Sequence, residues 1–547
     1  MPEFNIGLAH EAVSEVNADR EVLVHRDRRL TYADLTDRSR RLATYLHRAG
    51  LGARAERGEL ANHESGQDHL ALYLYNGTEY VEGMLGAFKA RLVPINVNYR
   101  YVEDELRYLF DDADARAVIY HARFAPRLAA VRDSLPHLQV LLQVDDGSGE
   151  PLLPGAVDYE EALASVPPEL PDVAHSPDDL YVLYTGGTTG MPKGVLWRQH
   201  DIFMSTMGGR YPGVWEPVAS YDQIRAQAAS LAGNTMVMVP PLMHGAAQWA
   251  TFIMMANGAR IVFLDDVTHM DPVDVLRTIE REQAGFITVV GDAVVRPLLE
   301  EIRTGRYDLS SLAVVGNGSV ALTQEVKEAL LDALPHILIN DSVGSSETGA
   351  QGMHLSSKDN VATGVFDAGP GAVVVNEDMT ALLKPGHEGV GWLGQTGWVP
   401  LGYLNDAEKT ARTYPVIDGV RYSVPGDRVR LLADGSIELI GRESQTINTG
   451  GEKVFVEEVE RAIVSHPAVR DVVVTGRPHD RWGNEVVAVV QLEEGATATE
   501  DELELHASER VARYKVPKGW VFVEHIQRSP SGKTDYRWAK SVARGEA

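Results

Sequence analysis

A chain of 547 residues is longer than one hydrophobic core sustains, so at least two domains are expected. With 51 Lys+Arg against 78 Asp+Glu, the net charge of −27 and the lack of a basic cluster argue against a nucleic-acid partner or an anionic membrane surface. The absence of cysteine excludes disulfides, thiol catalysis and Cys-ligated metal, and fits a reducing compartment.

The start, Met1-Pro-Glu-Phe-Asn-Ile6, has neither the basic nor the apolar region of a signal peptide. The most apolar stretch, 235–264, is broken by Pro240, Pro241, His244, Gln248, Asn257 and Arg260, short of the ~18 apolar residues a membrane helix needs. A cytoplasmic protein with no integral membrane segment is expected.

In chain order, Val22-Leu-Val24 and Arg29-Leu-Thr-Tyr32 read as a strand pair around a charged turn. Thr31 is an N-cap candidate for a helix that runs to Gly50 and carries Leu35, Leu42 and Leu46 on one face. Strands at 69–75, 117–120 and 140–144 alternate with helices at 79–90 and from Pro126, and 93–97 leads into a further strand. That alternation predicts parallel sheets wound with helices. The proline-rich segment 145–177 reads as connecting loop. A second series of strands at 236–239, 259–264, 286–290, 312–315 and 337–340 predicts a second doubly wound lobe. From Gly389 the chain turns to short Gly- and Trp-containing strands, which predict a small β-barrel. Beyond Arg442 it has its own pattern: helices at 456–466 and 499–514, strands at 472–474 and 486–490. The expected fold is α/β, with a large N-terminal domain (1–443) of two doubly wound lobes plus a small β-barrel, and a smaller α+β C-terminal domain (444–547). The boundary is placed at Glu443–Ser444.

Tyr184-Thr-Gly-Gly-Thr-Thr-Gly-Met-Pro-Lys-Gly-Val195 follows the apolar strand 180–184. Glycines let successive backbone N–H groups turn inward around an anion; Thr185, Thr188 and Thr189 add hydroxyl donors, and Lys193 adds a charge. Pro192 before Lys193 and Gly194 after it rule out the Walker A ending of Lys-Ser/Thr.

That loop resembles the signature of the adenylate-forming enzymes, which include acyl- and aryl-CoA synthetases, the adenylation domains of peptide synthetases and beetle luciferases. Further motifs of that family recur in order along nearly the whole chain. The resemblance implies ATP binding by Thr185, Gly186, Gly187, Thr188, Thr189, Gly190 and Lys193. Gly344-Ser-Ser-Glu-Thr348 is similar to the family's Gly-x-Thr-Glu loop, which implies that Glu347 helps hold Mg²⁺ and that Ser346 contacts phosphate. Asn317-Gly-Ser-Val320 resembles the adenine wall, implicating Gly318, Ser319 and Val320, while Val343 stands where the family often has an aromatic. Tyr422-Ser-Val-Pro-Gly-Asp427 implies a ribose-binding Asp427, with Pro425 in place of Thr, and Gly441-Arg442 implies a ribose or phosphate contact from Arg442. Ser444 occupies the hinge position, at which the family's C-terminal domain moves.

Pro530-Ser-Gly-Lys533 resembles the family's Pro-x-Gly-Lys motif. A carboxylate attacking the α-phosphate crowds negative oxygens together, and an ammonium between them stabilises the developing charge. The resemblance assigns that role to Lys533, with Glu347 and Thr189 also catalytic, and presents Gly451, Glu452 and Lys453 to coenzyme A after the domain rotates. Pro240-Pro-Leu-Met-His244-Gly is similar to the segment lining the acid's pocket, implicating His244, Gly245 and Trp249, with His244 a wall rather than a base. No charged residue falls in 236–243 or 245–258, which favours a fatty, steroidal or aryl acid over an amino acid. The wording of 193–201 and 447–455 is most similar to actinobacterial fatty-acid and steroid side-chain CoA ligases. The resemblance thus implies an ATP- and Mg²⁺-dependent acyl-CoA synthetase using coenzyme A as second substrate. Loading of a carrier protein stays open as the alternative, and so does a homo-oligomer.

Overall fold

The computed structural model describes residues 2–185, 191–211, 215–442, 445–449, 452–479, 483–528 and 533–546, with Glu452 and Lys453 described by backbone only. Two large sheets dominate. The first runs Gly402–Tyr403, Lys193–Arg198, Leu180–Thr185, Val93–Asn96, His69–Tyr73, Ala115–His121, Val140–Val144, Val157–Asp158. From Leu180–Thr185 outward it is parallel, and its inner strands are buried almost along their whole length, as expected where helices cover both faces. The helix Thr78–Lys89 is buried throughout, and glycine allows it: a Cβ on Gly86 would come 2.5 Å from Leu42 Cδ2 of the neighbouring helix Tyr32–Arg48. That neighbour starts where the sequence places it, with Thr31 and Asp34 forming a capping box.

The second sheet carries the parallel strands Glu21–His25, Arg260–Phe263, Thr235–Met238, Phe286–Val289, Val314–Asn317 and Leu338–Ser345. It then continues, antiparallel, through Gly349–Ser356, Val365–Ala368, Ile437–Arg442, Asp427–Leu431, Gly391–Gln395 and Ala372–Val375. The antiparallel part expected from Gly389 thus begins some forty residues earlier and joins the second lobe edge to edge. Its strands bury a small cluster of Val374, Leu393, Val429 and Ile437.

Two further departures have local causes. The segment 145–177 is not all loop: Val157–Asp158 is a strand and Tyr159–Ala164 a helix, started by Asp158 capping Glu161 N–H at 3.0 Å and anchored by Tyr159, whose hydroxyl donates to Glu82 Oε2 at 2.8 Å. An N-terminal helix, Ile6–Asn17, capped by Asn5, had no counterpart in the sequence reading.

The C-terminal region forms its own sheet from Glu452–Val454, Ile447–Thr449, Gly483–Leu492 and Val469–His479, with Gly519–Phe522 parallel to Gly483–Leu492. The helices Val456–Val464, Glu500–Ser508 and Tyr536–Arg544 enclose a separate core of Val459, Ile463, Val474, Val486, Val490 and Leu503. The expected helix at 499–514 stops at Ser508. This region meets the large one through Arg461 Nη1 donating to Leu439 O at 3.3 Å and through the ion pairs Arg296–Glu493 at 3.2 Å and Arg470–Glu300 at 3.7 Å.

Candidate functional site

The chain after the 180–184 run returns as a second strand. Lys193–Arg198 pairs antiparallel with Leu180–Thr185, so Thr185 and Lys193 stand opposite each other at the mouth of the loop between them. Gly186, Gly187, Thr188, Thr189 and Gly190 of that loop lie outside the described residues. Gly194 is required by packing: a Cβ there would sit 3.0 Å from the ring of Tyr184, whose hydroxyl donates to Asp112 Oδ2 at 2.7 Å. Lys193 Nζ lies 3.4 Å from Asp406 Oδ2. Burial opposes its charge, but Tyr108, Asp406 and Asp112 hold its pKa above the ordinary value.

Glu347 sits at the tip of the hairpin joining Leu338–Ser345 to Gly349–Ser356. The turn is tight: a Cβ on Gly344 would fall 2.1 Å from Gly349 O. Three groups from other elements hold the tip in place. Tyr403 OH donates to Glu347 Oε1 at 2.7 Å, Ser423 Oγ donates to Glu347 O at 2.6 Å, and the indole of the buried Trp197 donates to Ser346 O at 2.9 Å. The Lys409 ammonium rests 3.8 Å from the centroid of the Tyr403 ring. Val343, three residues before Ser346, packs towards the Val374–Leu393 cluster of the antiparallel strands.

Asn317 ends the strand Val314–Asn317 and pins the loop behind it. Its Oδ1 accepts from Gly291 N–H at 2.9 Å, and its Nδ2 donates to Val320 O at 3.0 Å and to Asp341 Oδ1 at 2.8 Å. The buried Lys327 pairs with Asp341 at 2.5 Å. Ser319 adopts a left-handed backbone with φ 68°, and nothing lies within 4 Å of a Cβ built on Gly318, so the loop presents an open backbone surface. Asp427 and Arg442 are cross-strand partners, with Arg442 Nε 2.8 Å from Asp427 Oδ1. The Arg442 pKa is raised chiefly by Asp427, against the cost of burial.

Lys533, from the C-terminal region, lies within electrostatic reach of Glu347, Arg442 and His244. Burial, then Arg442, pull its pKa below the ordinary lysine value, with Glu347 opposing. His244 precedes the helix Gly245–Ala256. Burial, then Lys533 and Arg100, depress its pKa to about 3, so it is neutral at working pH and its buried Nε2 makes no hydrogen bond among the described residues. Gly245 passes close to the first sheet, where a Cβ would meet Leu183 Cδ2 at 2.4 Å and Trp249 Cζ2 at 3.4 Å. Two turns further along the same helix Phe252 and Met255 line a small apolar cavity with Ile6, His10 and Ile224.

Pairwise contacts and charge interactions link these residues in small groups: Thr185 with Lys193, Asp427 with Arg442, and Lys533 with Glu347, Arg442 and His244, while Ser346 is held by Trp197. Ser444 and Gly451 lie outside the described residues; Glu452 and Lys453 form the strand Glu452–Val454. Sequence reasoning missed Tyr403, Ser423, Trp197, Asp406, Asp112 and Lys409. The only signal for them was the capped helix start at Asp406, because their importance comes from contacts 50 or more residues away. Lys193, Lys533 and Arg442 gather positive charge here in a chain of net charge −27, set against Asp406, Glu347 and Asp427.

The profile described as AMP-binding enzyme matches residues 10–404, and that of the AMP-binding enzyme C-terminal domain matches 458–533. The chain is 59% identical over 540 residues to the medium-chain acyl-CoA ligase Mig of Mycobacterium avium, covering 99% of this chain and 98% of that one. It is 40% identical to the 3-oxocholest-4-en-26-oate–CoA ligase of Rhodococcus rhodochrous, over 98% of this chain and 95% of that one. Among solved structures it resembles the anthranilate CoA ligase AuaEII with anthranoyl-AMP (TM-score 0.81, 22% identity, 100% and 98% coverage). ATP-bound MatB from Rhodopseudomonas palustris gives a TM-score of 0.80 at 22% identity, with 98% and 99% coverage.

Proposed function

The chain belongs to the AMP-binding enzyme family and is an ATP-dependent acyl-CoA synthetase, and from that premise we propose how its residues divide the work. The acid's carboxylate attacks the α-phosphorus of ATP, the bond to the β-phosphate breaks, and acyl-adenylate and pyrophosphate form. The thiol of coenzyme A then attacks the acyl carbon and AMP leaves.

The observation that supports this reading is that the Lys533 charge interacts with Glu347, Arg442 and His244. An ammonium there meets both the incoming carboxylate and the α-phosphate, and stabilises the transition state more than either reactant alone. Asp427 accepts from the ribose hydroxyls, while Arg442 holds its other side and faces ribose or phosphate. Gly318, Ser319 and Val320 wall the adenine, and the strands around Val343 leave the opposite wall aliphatic. Thr185, Thr189 and the glycines of 186–190 donate to the phosphates.

Glu347 fits a magnesium ion. Among the described residues no cluster of three metal-type side chains exists, and Mg²⁺ is commonly held by one or two carboxylates plus substrate phosphates and water. Tyr403 orients that carboxylate, and the ion would neutralise charge on the leaving pyrophosphate. Ser444 serves as the hinge that removes Lys533 and brings Gly451, Glu452 and Lys453 to the thiol.

For the acid we propose a medium-chain fatty acid or a bulky steroid side-chain acid. The wall of His244, Gly245 and Trp249 is uncharged, His244 included, and relatives named for both acid classes align over nearly the whole chain. Product analysis with ATP, Mg²⁺, coenzyme A and a graded panel of acids tests it. Acyl-CoA and AMP are expected from medium-chain or steroid acids; turnover confined to short or amino acids would sink the substrate reading. In the same assay K533A is expected to lose about a hundredfold or more in adenylation, while still converting preformed acyl-adenylate to acyl-CoA.

A further inference from the structure

Lys409 is a half-buried cation that nothing above employs. It lies on the helix Ala407–Thr413, with its ammonium 3.8 Å from the Tyr403 ring centroid. The acids around it are already engaged. Asp406 uses Oδ1 to accept from the backbone N–H of Lys409 itself at 2.9 Å, capping the helix, and Oδ2 to face Lys193 at 3.4 Å. Glu347 Oε1 is taken by the Tyr403 hydroxyl at 2.7 Å. Among the described residues no carboxylate comes within ion-pair distance of Lys409.

A buried charge is costly unless it is paired, and an aromatic face supplies only part of what a carboxylate would. Burial pulls the Lys409 pKa down; Glu347 and Asp406 oppose, and Lys193 and Arg412 add to the fall. Lys409 therefore shares its field with Lys193, at the mouth of the phosphate loop, and with Glu347, the magnesium carboxylate of the proposed site. Asp406 ties the two lysines together, capping the Lys409 helix with one oxygen and facing the Lys193 ammonium with the other, and Tyr403 ties Lys409 to Glu347. A polyphosphate is the anion that spans two such cations beside a magnesium site.

We propose that Lys409 binds the departing pyrophosphate, acting with Lys193 on the β- and γ-phosphates while Lys533 and Arg442 serve the α-phosphate. The assignment rests on the adenylating reaction. In reverse, a pyrophosphate oxygen attacks the α-phosphorus of acyl-adenylate, the bond to the acyl carboxylate oxygen breaks, and ATP and the free acid return. Lys409 stabilises the pyrophosphate in both directions and has no part in the transfer to thiol. The Tyr403 ring parks the ammonium until the anion arrives.

The test separates the half-reactions in the full-length enzyme with saturating Mg²⁺. For K409M, the KM for pyrophosphate in ATP–pyrophosphate exchange is expected to rise about tenfold, the worth of a charge-assisted hydrogen bond. The KM for the acid, and the rate at which preformed acyl-adenylate gives acyl-CoA, are expected to stay within about twofold. K409R should restore most of the pyrophosphate affinity, and K409Q should behave as K409M, which excludes an effect peculiar to methionine. An unchanged pyrophosphate KM overturns the proposal. So does a defect confined to the Mg²⁺ titration, since Lys409 would then act only on the charge of Glu347. If the wild-type enzyme exchanged no pyrophosphate with any acid, the adenylating reading itself would fall, a result distinct from normal exchange that K409M leaves intact.

Discussion

At the scale of single residues, the decisive contacts are those that aim a functional group. Glu347 is a flexible side chain at a hairpin tip, and its direction is set by one phenol, Tyr403. Y403F removes that donor while keeping the ring under Lys409. A hydrogen bond to a charged group is worth about 1.5–3 kcal/mol, so adenylation should fall roughly tenfold to a hundredfold, most clearly as a higher Mg²⁺ requirement in pyrophosphate exchange. Glu347, Lys533, Asp427 and Arg442 could be singled out from the sequence because each sits in a short motif. Tyr403 was not, because nothing in Leu401-Gly-Tyr-Leu-Asn405 says that the ring will lie under a loop 56 residues earlier in the chain. Motifs report which atoms meet the substrate; they are silent on the atoms that hold them.

At the scale of elements, the hairpin 338–356 shows how a turn becomes a tool. Its register shifts between Val343 and Gly344, and the backbone then closes so tightly that a methyl group at 344 meets Gly349 O. G344A is expected to cost about 1–3 kcal/mol in unfolding free energy from overpacking, measured by denaturant melts. It should also reduce adenylation beyond what that loss explains, since the tip must move to relieve the contact. Strand and helix alternation was readable in most of this region from periodicity alone. The reading failed at 145–177, where prolines outvoted the short cap-and-anchor signal of Asp158 and Tyr159. It failed again over 349–375, where alternating polar and small residues hid strands that only sheet neighbours stabilise.

At the scale of the whole molecule, the C-terminal region carries its own core and meets the rest through ion pairs and a few hydrogen bonds. Its helix Val456–Val464 carries the half-buried Glu460, whose carboxyl accepts from Val474 N–H at 2.8 Å. Burial, then Glu457, push its pKa up to about 8, with the Val474 N–H and Arg528 opposing. The folded chain therefore binds this proton more tightly than the unfolded one. The contribution is fully present below the ordinary glutamate range and is lost as pH rises towards about 8, at up to about 1.4 kcal/mol per pH unit. E460Q should flatten that slope, so that melts from pH 5 to 8.5 show the variant gaining on the wild type as the solution becomes alkaline. A variant that tracks the wild type across the range would remove Glu460 as the source.

The run of hydrogen bonds from Val314–Asn317 through Gly349–Ser356 to Ile437–Arg442 also has a mechanical meaning. Glu347, Asp427 and Arg442 ride on one hydrogen-bonded laminate, so the groups proposed to hold phosphate and ribose share a single support. The Asp427–Arg442 pair is the last rung before residue 443, which makes that end of the laminate a clamped fulcrum. On the hinge motion proposed above, Lys533 would leave and return beyond that rung while the proposed ribose-binding pair stays on the sheet.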